Sequence, residues 1–176
     1  SGRSEGRPLM NAMMWMDARS RKEMQEINDT GHPVLDYCGK ETSFEWMIPK
    51  ALWIKRHRKD IYDVCYRIVD QLDWMNYQLC GEWSSSICNT TCKWNYVSSM
   101  GGYQRDFFEQ IGFEDYEEKL TMRVDKIGDP VGTIRPELSE KYGFSREMQI
   151  VQGGIDAHMA MFGLDVLKPG KLGVIM

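Results

Sequence analysis

The residues best suited to chemistry are Gly153-Gly154-Ile155-Asp156-Ala157-His158. Residues 148–152, Met-Gln-Ile-Val-Gln, read as a short buried strand, and residues 157–164 as an apolar helix ending near Gly163. Asp156 therefore stands at a strand-to-helix junction. A carboxylate there can accept a proton from a substrate hydroxyl while the helix N-terminus steadies its charge. Asp is equally a favoured helix N-cap, and the segment alone leaves both roles open. The two glycines predict a sharp turn with room for a ligand beside the acid. His158 follows by two residues, so on a helix it faces away from Asp156, and a core or supporting position is expected for it.

Three further residues are candidates for binding. Lys93 is the lone charge between residues 84 and 96, and a cation there can bond hydroxyls or a phosphate, or be an ordinary surface lysine. Trp15 offers a flat apolar face of the kind that grips the carbon side of a sugar, or else fills a core. Asp17 and Arg19 can pair to hold the chain or bond hydroxyls, with structural support the expectation for Arg19. The thirteen methionines and six tryptophans read as core filling.

The elements that must position these groups alternate in type. Strands are expected at residues 10–16, 66–69, 148–152 and 172–176, and a strand or irregular segment at 84–95. Helices are expected at 19–28, from an N-cap at Ser43 towards His57 with Pro49 as a kink or second start, and at 60–65. Further helices fall at 71–80 behind Asp70, at 104–110, at 116–122 and at 136–142. This is an α/β chain without internal repeats.

At 176 residues, 42% hydrophobic and 27% charged, the chain is long enough for a real core. A net charge of -4 argues against nucleic acid or an anionic membrane as partner, and no apolar run has membrane-spanning length. The five cysteines are odd in number and contain no Cys-x-x-Cys pair, the pattern of reduced thiols in a cytoplasmic protein, and no metal set is expected.

Several segments in order resemble the FGGY family of carbohydrate kinases. They are Trp15-Met16-Asp17-Ala18-Arg19, Pro49-Lys50-Ala51-Leu52-Trp53, the run from Asp73 to Leu79-Cys80-Gly81, Cys92-Lys93-Trp94, and Gly153-Gly154-Ile155-Asp156-Ala157. Asn11, the Thr91-to-Tyr96 stretch and Ile155-Asp156-Ala157-His158 are most similar to the ribulokinase-like branch. Ala18 and Cys80 depart from the usual His and Thr of such kinases, which bears on substrate identity more than on reaction type.

The resemblance implies an actin-like, ribonuclease H-like ATPase fold of a sugar kinase. It implies that residues 1–170 are the second half of the N-terminal sugar-binding domain and that residues 171–176 begin the C-terminal domain. The implied reaction is ATP-dependent phosphorylation of a sugar hydroxyl, most simply of a ketopentose such as D-ribulose, with Asp156 as general base. Lys93, Trp15 and Asp17 would bind substrate. ATP and Mg²⁺ would be held mainly by regions outside this chain, since neither Gly-Gly pair fits a phosphate loop, and the segment alone is expected to be inactive. The full-length protein would be a cytoplasmic enzyme, possible as a homodimer, acting on a small sugar or polyol. Xylulokinase-like or glycerol kinase-like specificity and a non-catalytic sugar-binding protein or pseudokinase are the alternatives.

Overall fold

Where Gly or Pro punctuates the sequence, the elements end as the chain chemistry requires. The computed structural model describes residues 6–174. Its helices are α1 (Arg21–Asp29), α2 (Met47–His57), α3 (Lys59–Tyr62), α4 (Gln71–Cys80), α5 (Ile87–Lys93), α6 (Arg105–Gln110), α7 (Tyr116–Lys119), α8 (Pro136–Tyr142) and α9 (Asp156–Gly163). The strands are β1 (Ser85–Ser86), β2 (Val124–Asp125), β3 (Pro130–Thr133) and β4 (Gln149–Val151), so the fold is mixed α/β. In α8, Pro136 opens the first turn and Gly143 closes it at φ 73°, the left-handed conformation that glycine adopts without strain.

The chain divides into two compact units. One runs to Asp70 and resumes over Thr90–Met122; the other comprises Gln71–Asn89 and the chain from Arg123 onward.

The first unit is helical and centres on Ile27, Ile48, Leu52, Phe107, Phe108, Phe113 and Leu120, all buried. Phe108 stacks on Tyr116 with ring centroids 4.2 Å apart and meets Phe107 edge to face at 5.2 Å. Pro49 neither kinks α2 nor begins a second helix. It sits in the first turn, where its missing N–H would have had no intrahelical partner. The N-cap position belongs to Trp46, and Ser43 instead accepts the Glu45 N–H at 3.2 Å in the preceding turn.

In the second unit β1 pairs parallel with β2, and β3 antiparallel with β4, with an irregular register between Pro130 and Gly132. Helix α4 packs beside both pairs.

Several expectations are corrected. Residues 10–16 form no strand but an irregular segment and a turn that leaves Met14, Trp15 and Met16 exposed. Residues 66–69 form no strand either; the Ile68 N–H bonds the Lys119 carbonyl at 2.8 Å as a single loop contact. Within 84–95, helix α5 replaces most of the expected strand, although Cys, Asn and Thr are weak helix formers. Burial of Asn89 and Thr90 shows packing overriding propensity. Residues 172–174 are not in a strand, and the remainder of that expected strand lies outside the described residues.

Candidate functional site

In the first unit, the Trp15 segment turns back on itself as the Asp17 N–H donates to the Met14 carbonyl at 3.0 Å. The turn projects Trp15 outward, with 55% of its surface exposed, so this indole is not core filling. The Asp17 carboxylate is gripped by one guanidinium: Arg19 Nε lies 2.9 Å from Oδ1 and a terminal nitrogen 2.8 Å from Oδ2. Hydrogen bonding from Arg19 holds the Asp17 carboxyl below the usual carboxylate range. The Arg19 guanidinium also lies over the Trp53 ring, 4.9 Å from its centroid.

Lys50 joins these parts. It is 3% exposed, and its ammonium donates to the Met14 and Trp15 carbonyls at 2.7 and 3.2 Å. Burial pushes the Lys50 ammonium down from its ordinary value. Lys93 pushes the same way, while Asp17, Glu45 and Asp70 oppose it. Asp17 and Lys93 thus both act electrostatically on Lys50. The Lys93 side chain is half-buried, with no hydrogen bond or ion pair of its ammonium found among the described residues. The next residue anchors it: buried Trp94 donates its indole N–H to Asp70 Oδ2 at 2.8 Å.

Lys50, which residue chemistry alone had not singled out, thus holds the Trp15 backbone, and the charges of Asp17 and Lys93 act on its ammonium. A lone cation within Met47-Ile48-Pro49-Lys50-Ala51-Leu52 was the available sign, because an ammonium in an apolar helical run must find acceptors.

Asp156 belongs to the second unit. It is the first residue of α9, with Ile155 in the N-cap position, so it is not itself the cap. Its side chain is exposed, and Oδ1 accepts the Ala157 N–H at 2.8 Å, satisfying one of the free helix-start donors. His158 is exposed rather than in the core, and its Nδ1 lies 3.1 Å from Cys88 Sγ.

Neither glycine has a positive φ, so neither is required by a left-handed backbone. They permit close packing instead: a Cβ on Gly154 would stand 3.2 Å from Cys88 Cβ and 3.0 Å from Met159 Cε, and one on Gly153 would stand 3.3 Å from a Leu72 methyl.

Over residues 3–163 the sequence matches the N-terminal domain of the FGGY family of carbohydrate kinases. The chain belongs to that family. It is 32% identical over 177 residues to an FGGY carbohydrate kinase domain-containing protein of Homo sapiens, covering 96% of this chain and 32% of that protein. A ribulokinase of Bacillus licheniformis is 26% identical over 176 residues, covering 96% of this chain and 32% of its own length. A D-ribulokinase of Saccharomyces cerevisiae is 27% identical over 175 residues, covering 90% and 24%. Among solved structures, a Brucella ovis protein described as a xyloylose kinase superposes with a TM-score of 0.81 at 19% identity, over 95% of this chain and 34% of that one. The fold is thus that of the N-terminal part of the actin-like FGGY kinases. The FGGY chain spans about a third or less of the length of these relatives.

Kinases of this family use ATP and Mg²⁺. Among the described residues no three His, Cys, Asp or Glu side chains converge on one point, and neither Gly-Gly pair of the sequence fits a phosphate-loop pattern. No helix of the described residues is long and apolar enough to cross a membrane.

Proposed function

We propose that the protein carrying this FGGY chain phosphorylates a hydroxyl of a ketopentose such as D-ribulose, with Asp156 as general base. The carrying observation is the exposed carboxylate of Asp156 at the start of α9, within the segment matching the kinase family. ATP supplies the phosphoryl group, held by parts of the protein beyond this chain. Asp156 orients the attacking hydroxyl and takes its proton. A weak base suffices, because a loose phosphoryl-transfer transition state needs little early deprotonation. Trp15 covers the carbon face of the sugar, Asp17 accepts from its hydroxyls, and Lys93 donates to hydroxyls or to the transferring phosphate. In this reading residues 1–170 are the second half of the sugar-binding domain and 171–176 open the next. The ribulokinase names among the relatives at 26 and 27% identity support the ketopentose.

The test is ADP release by the complete protein with D-ribulose, L-ribulose, xylulose, ribitol and glycerol. Turnover on a ketopentose is expected, with Asp156→Asn reducing kcat by about 10²–10⁴ without loss of folding, the range removed with a positioned base. Near-normal turnover in Asp156→Asn would sink the base assignment. Turnover on xylulose alone would keep a ketopentose but replace ribulose, and turnover on glycerol or ribitol alone would move the specificity to a polyol. Sugar binding without turnover would make the protein a binder.

A further inference from the structure

The peptide leading into Asp156 is held by a buried amide. Gln152 is 1% exposed, and every hydrogen-bonding position of its side chain is used. Its Oε1 accepts from Asn76 Nδ2 at 2.8 Å and from the Gly153 N–H at 3.1 Å. Its Nε2 donates to the Ser84 carbonyl at 3.2 Å and to Ser84 Oγ at 3.1 Å. A carbonyl can only accept, so the Ser84 contact fixes which end of the amide is nitrogen. The Gln152 backbone is pinned too, its N–H to the Asp129 carbonyl and its carbonyl to the Gly128 N–H, both at 2.8 Å. On the far side, Ser86 Oγ donates to the Gly153 carbonyl at 2.6 Å.

Gly153 is thus tethered through both its N–H and its C=O, three residues before Asp156. A buried polar network with every member satisfied rigidifies what it holds, whereas an apolar side chain in the same place would fill space and fix nothing. A proton acceptor must be placed to within a fraction of an ångström, and a 1 Å error can cost about a hundredfold in rate.

We propose that Gln152 is a positioning residue for Asp156, acting through the Gly153 peptide with Asn76, Ser84 and Ser86 as its supports. This rests on the reading of Asp156 as general base. Gln152 touches no reacting atom in this role; it sets where the start of α9 presents the carboxylate.

The experiment compares Gln152→Ala and Asp156→Asn in the complete protein, by steady-state kinetics and by hydrogen exchange at amides 153–155. For Gln152→Ala, kcat is expected to fall about 10–100-fold, with the sugar KM within about threefold of the parent, because a misplaced base harms the transition state more than the ground state. Exchange of the Gly153 amide is expected to quicken as its acceptor is lost. A merely structural Gln152 would lower the melting temperature and the active fraction without this kcat-specific loss in the folded enzyme. If Gln152→Ala does not fold, Asn76→Ala removes one of the two donors to Oε1 and carries the same test, with an expected kcat loss of about threefold to tenfold. Unchanged kcat in folded Gln152→Ala, alongside an inactive Asp156→Asn, overturns the positioning role and leaves the base standing. Full turnover in Asp156→Asn overturns both.

Discussion

The Lys50 ammonium donates to the Trp15 carbonyl at 3.2 Å, so that a residue of helix α2 holds the turn presenting the exposed indole. The same ammonium reaches the Met14 carbonyl at 2.7 Å, and Arg19, which grips Asp17, lies over Trp53 one helical turn along α2. Trp15-x-Asp-x-Arg and Pro-Lys-x-x-Trp are thus two halves of one scaffold. The first supplies the exposed groups, and the second holds its carbonyls and covers its guanidinium.

Lys50→Met keeps the apolar stem and removes the donor. Hydrogen bonds from charged groups contribute about 1.5–3 kcal/mol, while release from burying an ammonium offsets part of that, so a net loss of about 1–2 kcal/mol is expected in urea unfolding. The sugar KM of the complete protein should rise more than kcat falls, because the loosened turn carries binding groups. An unchanged KM would show that the turn does not depend on Lys50.

Trp15→Ala separates sugar contact from packing. A half-exposed side chain away from the core should change stability by no more than about 0.5 kcal/mol, whereas a core Trp would cost about 3–5 kcal/mol. An aromatic face on substrate corresponds to about 0.5–1.5 kcal/mol, or roughly a twofold to tenfold rise in Kd. Isothermal titration with the sugar and thermal unfolding together read both numbers.

Helix punctuation was legible locally, as α8 shows with Pro136 at its start and Gly143 after its end. So was the order of β4 followed by α9, because an apolar run, two glycines and an acid make a short pattern, although the expected burial is corrected: only Ile150 of β4 is buried, between exposed Gln149 and Val151. The turn at Trp15 was not legible. Met10 to Met16 carries apolar residues as a strand would, and only the long-range bonds from Lys50 show that the chain bends there. Helix α5 was hidden for the converse reason: Ile87-Cys88-Asn89-Thr90-Thr91-Cys92-Lys93 has poor intrinsic propensity, and its conformation is set by burial that no local window contains. Gln152 looked like the end of a strand. Its importance lies in partners at residues 76 and 84, far away in sequence.

Asp115 predicts an acid limb in the stability profile. It receives Lys55 Nζ at 2.8 Å and the Tyr62 hydroxyl at 2.9 and 2.8 Å on its two oxygens. Burial alone would raise its pKa, but the hydrogen bonds from Lys55 and Tyr62 and the Lys55 charge outweigh this, and the carboxyl lies below its ordinary 3.8. The folded state therefore binds this proton less readily than the unfolded chain. Its stabilisation is fully present above the unfolded value and is lost as pH falls through the lowered folded one. Asp115→Asn should be about 1–2 kcal/mol less stable than the parent at pH 7, from the weakened charged hydrogen bonds, and the gap should narrow below about pH 4. Chemical denaturation from pH 7 to pH 2 checks it; a gap independent of pH would assign the loss to packing.

Gly154→Ala probes the contact that gives α9 its seat. A methyl there meets Cys88 Cβ at 3.2 Å and Met159 Cε at 3.0 Å. The methionine end can swing aside, but Cys88 Cβ is fixed to the α5 backbone, so the strain falls on that approach. Overpacking of this kind costs about 1–3 kcal/mol. Cys88→Ala cannot relieve a clash with Cβ itself, although it removes the sulfur that would stand equally close, at 3.2 Å. Cys88→Gly removes both atoms. Gly154→Ala should therefore be rescued in part by Cys88→Ala and further by Cys88→Gly, after correction for each single substitution, with a coupling of about 0.5–2 kcal/mol in the double-mutant cycles. Additive losses would mean that the loop before Asp156 has room to move away from α5, and that glycine is required there for another reason.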